Sequence, residues 1–350
     1  MRICMMNDTF YRSGGVPIVI RRLSQAFTEV DVSVASCKYD GRPEDLSWIS
    51  ADRFERFDLT SSNNPVQLFK ELRRFREWFR SQGCQLVHCH HRKLSVLMRL
   101  AGVPVIYTGH LPFPSVIWFK YGHPRHMTAV SESVAENLLE VTGRRSLACI
   151  NNPVVFPQDP PKINVARVGR KAVCIGRLEP IKGHTHLLAA WKLLLDRGYR
   201  YELDLVGEGS LRPELEAQVK RDGLEDLVHF CGFKSDVPAV IGEALFAILA
   251  SEKEGQCLVT LEAAAMGRAS LLTAVPGSID ALPPGRRLKN GIRYGDVAEL
   301  ADAIEEWFAS PESVVEEGRL FFEFQKALSD PDRIASQYME VYQQVLRECA

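Results

Sequence analysis

What most restricts the fold of this chain is one pattern repeated on both sides of a proline-rich join: a short apolar run, a loop, then a helix with one apolar face. Before the join, Arg2 to Met6, Asp31 to Ser36, Cys84 to Cys89, Val103 to Thr108 and Met127 to Val130 read as strands. Between them, Val16, Val19, Ile20, Leu23 and Phe27 recur at helical spacing, as do Leu68, Leu72, Phe75 and Phe79 within Pro65 to Gln82. After the join, Lys171 to Gly176, Tyr201 to Val206, Leu227 to Cys231 and Ala244 to Ala250 are strands, and His184 to Arg197 is a helix. Asn152-Pro153 closes the first series, and Pro157, Pro160 and Pro161 mark the join. Two βα series predict an α/β chain of two doubly wound domains facing across a cleft. The expected divisions are 1–155, a linker at 156–168, and 169–331. A length of 350 residues with 46% hydrophobic content supports two cores.

The densest stretch of candidate chemistry is Ser251 to Gly267, SEKEGQCLVTLEAAAMG, which follows the strand at Ala244 to Ala250. It reads as a loop that turns into a helix, placing Glu254 in the loop and Glu262 in the helix, seven residues between them. In an open α/β sheet that loop lies at the carboxyl edge of the strands, where ligands bind. On their own these carboxylates fit a solvated loop and a helix surface equally well. Ala263, Ala264 and Ala265, however, make a close-packing helix, and a charge beside such a surface usually has a partner. Arg177 and Lys182 supply one, in the loop between the strand Lys171 to Gly176 and the helix at His184. Two cations at a helix N-terminus describe a diphosphate site.

GRLEPIKG, LVGEGSLRPELE, VHFCGF and SEKEGQCLVTLEAAAMG, in this order and at these separations, resemble the carboxyl-terminal domain of family 4 of the retaining GT-B glycosyltransferases. The resemblance extends over the whole chain. It implies a GT-B fold of two Rossmann-like domains, with a final helix, about 332–350, packing back on the first domain. It implies that Glu254 faces a donor sugar, that Glu262 binds the nucleotide ribose, and that Arg177 and Lys182 hold the donor diphosphate. Gly255, Gln256, Cys257 and Leu258 would line the same loop, and Gly207, Gly232 and Phe233 would lie near the base. The adjacent glycines of Ser13-Gly14-Gly15 fit either a tight turn or close approach to a ligand; the resemblance places Gly15 near the acceptor. His110, after the strand ending at Thr108, would stand close to the donor sugar. Gln256-Cys257 stands where a Phe-Gly pair is common, Ala269 where proline is common, and Pro276-Gly277 where a glycine pair is common. These departures bear on sugar identity more than on fold.

The activity implied is retaining transfer of a hexose-type sugar from a nucleotide diphosphate sugar, UDP favoured over GDP-mannose. The acceptor would be a glycan or a lipid-linked glycan of bacterial-type surface polysaccharide or lipopolysaccharide synthesis. Two other classes fit parts of the pattern: a silent nucleotide-sugar-binding partner of another transferase, and a Rossmann oxidoreductase. The second lacks the third glycine of a dinucleotide fingerprint, since Arg212 stands there. No Asp-x-Asp pair lies near these loops, so neither metal nor cofactor is expected.

His88, His90 and His91 invite a metal reading, but no acidic or cysteine set at ligand spacing accompanies them. Strand alternation puts His88 and His90 on the face opposite Cys89, and His90 reads as an acceptor-site residue. Ser133 and Glu136 fit a capping box. Nine scattered cysteines without a C-x-x-C pair point to a reduced, cytoplasmic protein. No signal peptide, membrane span or nucleic-acid partner is expected. Charge is uneven: residues 1–155 hold 20 Lys and Arg against 14 Asp and Glu, net +6, and the remainder 23 against 30, net −7. With the cluster Trp118, Phe119, Lys120 and Tyr121, the basic half suggests peripheral contact with an anionic membrane.

Overall fold

A computed structural model describes residues 1–10, 14–39, 46–60, 64–114, 116–286 and 291–349; the side chains of Ile117 and Trp118 lie outside the description, as does Ser13. The chain forms two compact units, one of Met1–Pro153 with Pro331–Ala350, the other of Val154–Asp330.

The first unit runs β1 (Arg2–Phe10), α1 (Gly15–Ala26), β2 (Asp31–Tyr39), β3 (Phe54–Arg56), α2 (Pro65–Ser81), β4 (Leu86–Cys89), α3 (Arg92–Leu100), β5 (Val105–Gly109), α4 (Ile117–Gly122), β6 (His126–Ala129), α5 (Glu132–Thr142) and β7 (Ala148–Cys149). Its sheet is parallel, in the order β3-β2-β1-β4-β5-β6-β7. The order reverses between β1 and β4, which opens a crevice beyond the carboxyl ends of those two strands. β1 extends well past Met6, because it pairs with β2 from Arg2↔Asp31 to Phe10↔Tyr39; polar Asn7 and Asp8 belong to the strand, not to a loop. On one face, Phe75, Phe79, Leu94, Met98 and Val134 build the core from α2, α3 and α5, joined by Phe57 just after β3.

The second unit continues with α6 (Val165–Val168), β8 (Lys171–Ile175), α7 (His184–Asp196), β9 (Glu202–Val206), α8 (Arg212–Asp222), β10 (Val228–Gly232), α9 (Val237–Gly242), β11 (Phe246–Leu249), α10 (Leu258–Ala265), β12 (Ala269–Thr273), β13 (Gly291–Ile292), α11 (Val297–Ala309) and α12 (Pro311–Ser329). α13 (Pro331–Cys349) returns to the first unit. The second sheet is again parallel, ordered β10-β9-β8-β11-β12-β13, and reverses between β8 and β11. Its strands are nearly continuous apolar runs because helices cover both faces. The large core on one face centres on Trp191, Phe246, Trp307 and Phe308. On the other, the alanines of α10 let that helix lie against β11 and α12. Arg268, buried and unforeseen from the sequence, donates to the carbonyls of Ala244, Gly242 and Met266, so one guanidinium satisfies the ends of α9 and α10.

The segment 156–168, expected as a linker, belongs to the second unit together with Val154 and Val155 ahead of it, and it ends in α6. The Val154 N–H donates to the Ser329 carbonyl at 2.9 Å, Phe156 packs edge-on against Phe322, and Lys326 donates to the Gln158 carbonyl. Prolines here hold an extended strap, not a free tether. The expected Ser133–Glu136 capping box does not form. α5 starts earlier, at Glu132, and Ser131 caps it by accepting from the Val134 N–H. That start turns Val134 and Leu138 into the core and leaves Glu136 too deep in the helix to reach back.

α13 presents Ile334, Ala335, Tyr338, Tyr342 and Val345 to the first unit, spaced to fall on one face. Its tyrosines reach a buried polar group at the middle of the sheet. His88 Nδ1 is 2.7 Å from the Tyr342 hydroxyl, and Nε2 is 2.6 Å from Thr108 Oγ1. Thr108 Oγ1 also meets Thr128 Oγ1 at 2.6 Å and the Tyr338 hydroxyl at 3.2 Å. Burial, with the neighbouring His110, pushes His88 down to about 3; burial, with Lys182 nearby, pushes His184 at the head of α7 down to about 4.

Both histidines therefore stay neutral in the folded protein well below the pH of about 6.5 at which they would take up protons in the unfolded chain. Between that pH and about 4 the unfolded state binds more protons, so stability rises with pH across this window and is lost as pH falls through it. The thermal midpoint is expected to drop progressively from pH 7 to pH 5, with proton uptake on unfolding in calorimetry. A midpoint that is flat or rises over that range would contradict the neutral burial of His88 and His184.

Candidate functional site

In the second unit the loops that leave the carboxyl edge are joined to one another by backbone. The Gly176 N–H donates to Val206, Leu178 to Glu208, Gly207 to Gly232, Leu211 to Leu178, and Glu252 to Ile181, all at 2.8–3.0 Å. At the closest crossings the residue must be glycine. Gly207 has φ +145°, and a Cβ there would stand 1.9 Å from the Gly176 carbonyl oxygen; Gly183, at φ +66°, would stand 2.0 Å from that of Ala250. Sequence reasoning gave the glycine at Gly207 to nucleotide approach, but its immediate cause is contact between two loops.

This backbone frame brings Lys182 and Glu254 together. Lys182 ends a 3-10 turn, Pro180–Lys182, after β8; Glu254 follows β11, the strand beside β8 at the reversal of the sheet. Lys182 Nζ donates to Glu254 Oε1 at 2.5 Å, and the Glu254 side chain is only 8% exposed. Burial works against the ammonium, but the Glu254 carboxylate, and to a lesser degree the Cys257 sulfur, more than offset it, so the Lys182 pKa is raised. Gly277 backs the loop that carries Glu254: at φ +81°, a Cβ there would stand 2.3 Å from the Gly255 carbonyl oxygen and 2.5 Å from that of Glu254. Thr273 Oγ1 donates to the Ser251 carbonyl at 2.5 Å and fixes the start of the same loop.

Around this pair, Arg177 is exposed on the loop after β8, and α7 opens at His184. Gln256 and Cys257 are buried ahead of α10, Leu258 is its first residue, and Glu262 is buried on its fifth position. Burial, with Glu254 adjacent, pushes the Cys257 thiol up to about 12, so it is neutral. Gly232 ends β10 at φ +65°, with Phe233 36% exposed beyond it. The second unit thus carries Arg177, Lys182, Gly207, Gly232, Phe233, Glu254, Gln256, Cys257, Leu258 and Glu262, whereas His110, which the resemblance also sets beside the donor sugar, lies in the first unit. His184 was missed. The spacing of His184, Leu187, Leu188 and Trp191 was the signal, since it puts the histidine on the buried face of α7, immediately beside Gly183.

The first unit holds the other two candidates. Gly15 is the exposed first residue of α1, with Gly14 extended ahead of it. His110 follows β5, and its Nε2 lies 2.8 Å from Nδ1 of His90, which follows β4 at the reversal of the first sheet. The His90 ring stacks on His88 at 4.2 Å between centroids. Among the described residues no group of histidine, cysteine and carboxylate side chains is arranged to hold a metal ion. The expected aromatic-basic cluster changes in composition: Phe119 is fully buried between Tyr107 and Phe113, leaving Lys120 and Tyr121 exposed, and the Trp118 side chain lies outside the described residues.

Residues 169–310 match the family described as Glycosyl transferases group 1, and residues 13–155 match Glycosyltransferase Family 4. An uncharacterized glycosyltransferase of Haemophilus influenzae is 32% identical over 108 residues, 31% of either chain. The alpha-D-kanosaminyltransferase of Streptomyces kanamyceticus is 30% identical over 142 residues, 39% of this chain and 36% of the relative. The matched segments span about a third of the length of these curated relatives. In structure, the chain is similar to Anabaena HepE, solved with UDP and glucose, with a TM-score of 0.81, 18% identity, and 97% of this chain and 99% of that one covered. With two parallel sheets of this order and a family match in each half, the chain belongs to the group 1 glycosyltransferases of GT-B fold.

Proposed function

We propose that this chain is a retaining glycosyltransferase that moves a hexose-type sugar from a nucleotide diphosphate sugar to a glycan or lipid-linked acceptor. A UDP-sugar is favoured over GDP-mannose as donor, and the product belongs to bacterial-type surface polysaccharide or lipopolysaccharide. The observation that carries the reading is the buried Lys182–Glu254 pair at the strand reversal of the second unit. In the free chain the group assigned to the diphosphate and the group assigned to the sugar satisfy each other. A diphosphate entering this loop competes for the ammonium, and the carboxylate it displaces becomes an acceptor for a sugar hydroxyl. Donor binding thereby exchanges one charge pair for two contacts and does not leave a buried charge alone.

Cleavage of the anomeric C–O bond leaves its electron pair on the diphosphate. Lys182, Arg177 and the first-turn N–H groups of α7 and α10 then meet a charge larger in the transition state than in the ground state. In a front-face route the acceptor hydroxyl bonds to the anomeric carbon on the side the diphosphate leaves, and its proton passes to the departing phosphate oxygen. Glu262, buried on α10, binds the ribose hydroxyls, and His110 is the group of the first unit that meets substrate. These residues supply the stabilisation without a metal ion. The test is release of nucleoside diphosphate from a panel of UDP-, GDP- and ADP-sugars in excess EDTA. Turnover of one donor is expected; no release from any donor would favour a silent binding partner, and loss that Mg²⁺ restores would refute the metal-free route.

The acceptor side is basic, and Lys120 and Tyr121 are exposed there. No helix among the described residues is long and apolar enough to cross a membrane. Peripheral contact with an anionic bilayer on the cytoplasmic side fits both facts. The chain is expected to float with phosphatidylglycerol vesicles at low salt and to dissociate at high salt; absence from the floated fraction at low salt would point to a soluble acceptor.

Lys182→Met and Glu262→Ala separate the two donor roles. Lys182→Met is expected to lower kcat on the order of a hundredfold with a smaller change in donor KM. Glu262→Ala is expected to weaken donor binding by about 1.5 to 3 kcal/mol in calorimetry, the worth of a charge-assisted hydrogen bond. Near wild-type turnover in the first variant, or an unchanged donor Kd in the second, would remove the corresponding assignment.

A further inference from the structure

His90, read from the sequence as an acceptor-site residue, is enclosed at the carboxyl edge of the first sheet. It is 5% exposed, its ring lies between those of His88 and His110, and its Nδ1 is 2.8 Å from Nε2 of His110. Its other nitrogen, Nε2, is buried with no hydrogen-bond partner among the described residues. His88 cannot turn to meet it, because both of its own nitrogens are taken, by Tyr342 of α13 and by Thr108 of β5. The His88 ring is further flanked by Tyr338 at 5.0 Å between centroids. Three imidazoles thus stand in a row, clamped at the inner end by α13 and ending at His110.

Burial holds His90 well below its ordinary pKa and pushes His110 down to about 4, so both rings are neutral near pH 7. Between two neutral rings one proton is shared, and it can be placed in two ways. If His110 carried it on Nε2, His90 would have to carry its own on Nε2, as a sealed N–H donor. If His90 carries it on Nδ1, the sealed Nε2 is a bare lone pair. Buried donors without a partner are the rarer and costlier kind. The remaining proton of His110 then sits on Nδ1, its one nitrogen not used within the row, since the bond made by one ring nitrogen decides the state of the other.

We propose that His90 is a positioning residue: it donates from Nδ1 to Nε2 of His110 and so holds His110 in the tautomer that offers an Nδ1–H donor to a substrate oxygen. Tyr342 and Thr108 fix His88 as the plate against which His90 is stacked. The proposal rests on the assignment of His110 to substrate contact, and it adds that His110 acts as a hydrogen-bond donor, not as a base.

The test uses the full chain, labelled with ¹⁵N-histidine and without ligand, in long-range ¹H–¹⁵N correlation spectra, with His110 assigned from His110→Gln. Wild type is expected to show His110 protonated on Nδ1. His90→Asn keeps an amide N–H in place of Nδ1–H and should preserve that state; His90→Leu keeps bulk but no donor and should shift His110 to a mixture. With whichever of UDP-, GDP- and ADP-glucose the chain turns over fastest, His90→Leu should lower kcat roughly tenfold, the worth of one neutral hydrogen bond, with donor KM within about twofold. His90→Asn should restore most of the loss. His110 protonated on Nε2 in wild type, or unchanged spectra and turnover in His90→Leu, would overturn the proposal. Wild-type turnover in His110→Ala would instead overturn the assignment beneath it, whatever the spectra show.

Discussion

The carboxyl edge of the second sheet depends on how closely its loops can approach one another. At Gly183, Gly207 and Gly277 the backbone of one loop comes within reach of a carbonyl of the next, and a single methyl group would force them apart. Because these loops cannot separate, the side chains they carry are held at fixed spacing. The Lys182–Glu254 pair follows from this frame: its two residues come from neighbouring strands, β8 and β11, and neither loop alone would hold its charge out of water. A site that must stabilise charge on a leaving group gains from groups already in position, since no reorganisation is then needed as the bond breaks.

The first unit meets a similar problem with side chains instead of backbone. Its corresponding sheet edge carries a row of imidazoles, and the row is kept in register by two tyrosines from a helix 254 residues distant in sequence. Buried polar chains of this kind are stable only when nearly every member is satisfied. His88 is satisfied at both nitrogens, and the one deficit is displaced outward to His90, next to His110.

Much of this was legible from the residues. Strand and helix periodicity gave five of the seven strands of the first sheet and four of the six of the second, and the ordered motifs picked out Arg177, Lys182, Glu254 and Glu262. What was not legible has a common physical cause. The early start of α5 at Glu132, the burial of Phe119 and the extension of β1 to Phe10 are each decided by what the segment packs against, which local spacing does not contain. Arg268 and His184 read as ordinary polar residues until the carbonyls around the one and the apolar face of α7 around the other are in place. The glycines were noticed, but the sequence could not distinguish a loop pressed against a ligand from a loop pressed against another loop.

The return of α13 to the first unit has a bearing on how the protein is made. The second unit is continuous in sequence, whereas the first is not, so the part synthesised first is the part that finishes last. At ribosomal speeds of 5–20 residues per second, roughly 10 to 50 seconds pass between the emergence of His88 and of Tyr342. Throughout that interval the face of the first sheet that α13 will cover has no lid, and the imidazole row lacks the hydroxyls that hold it. The first unit therefore waits, incompletely closed, while its neighbour is built, and its sheet is covered only once α13 has emerged.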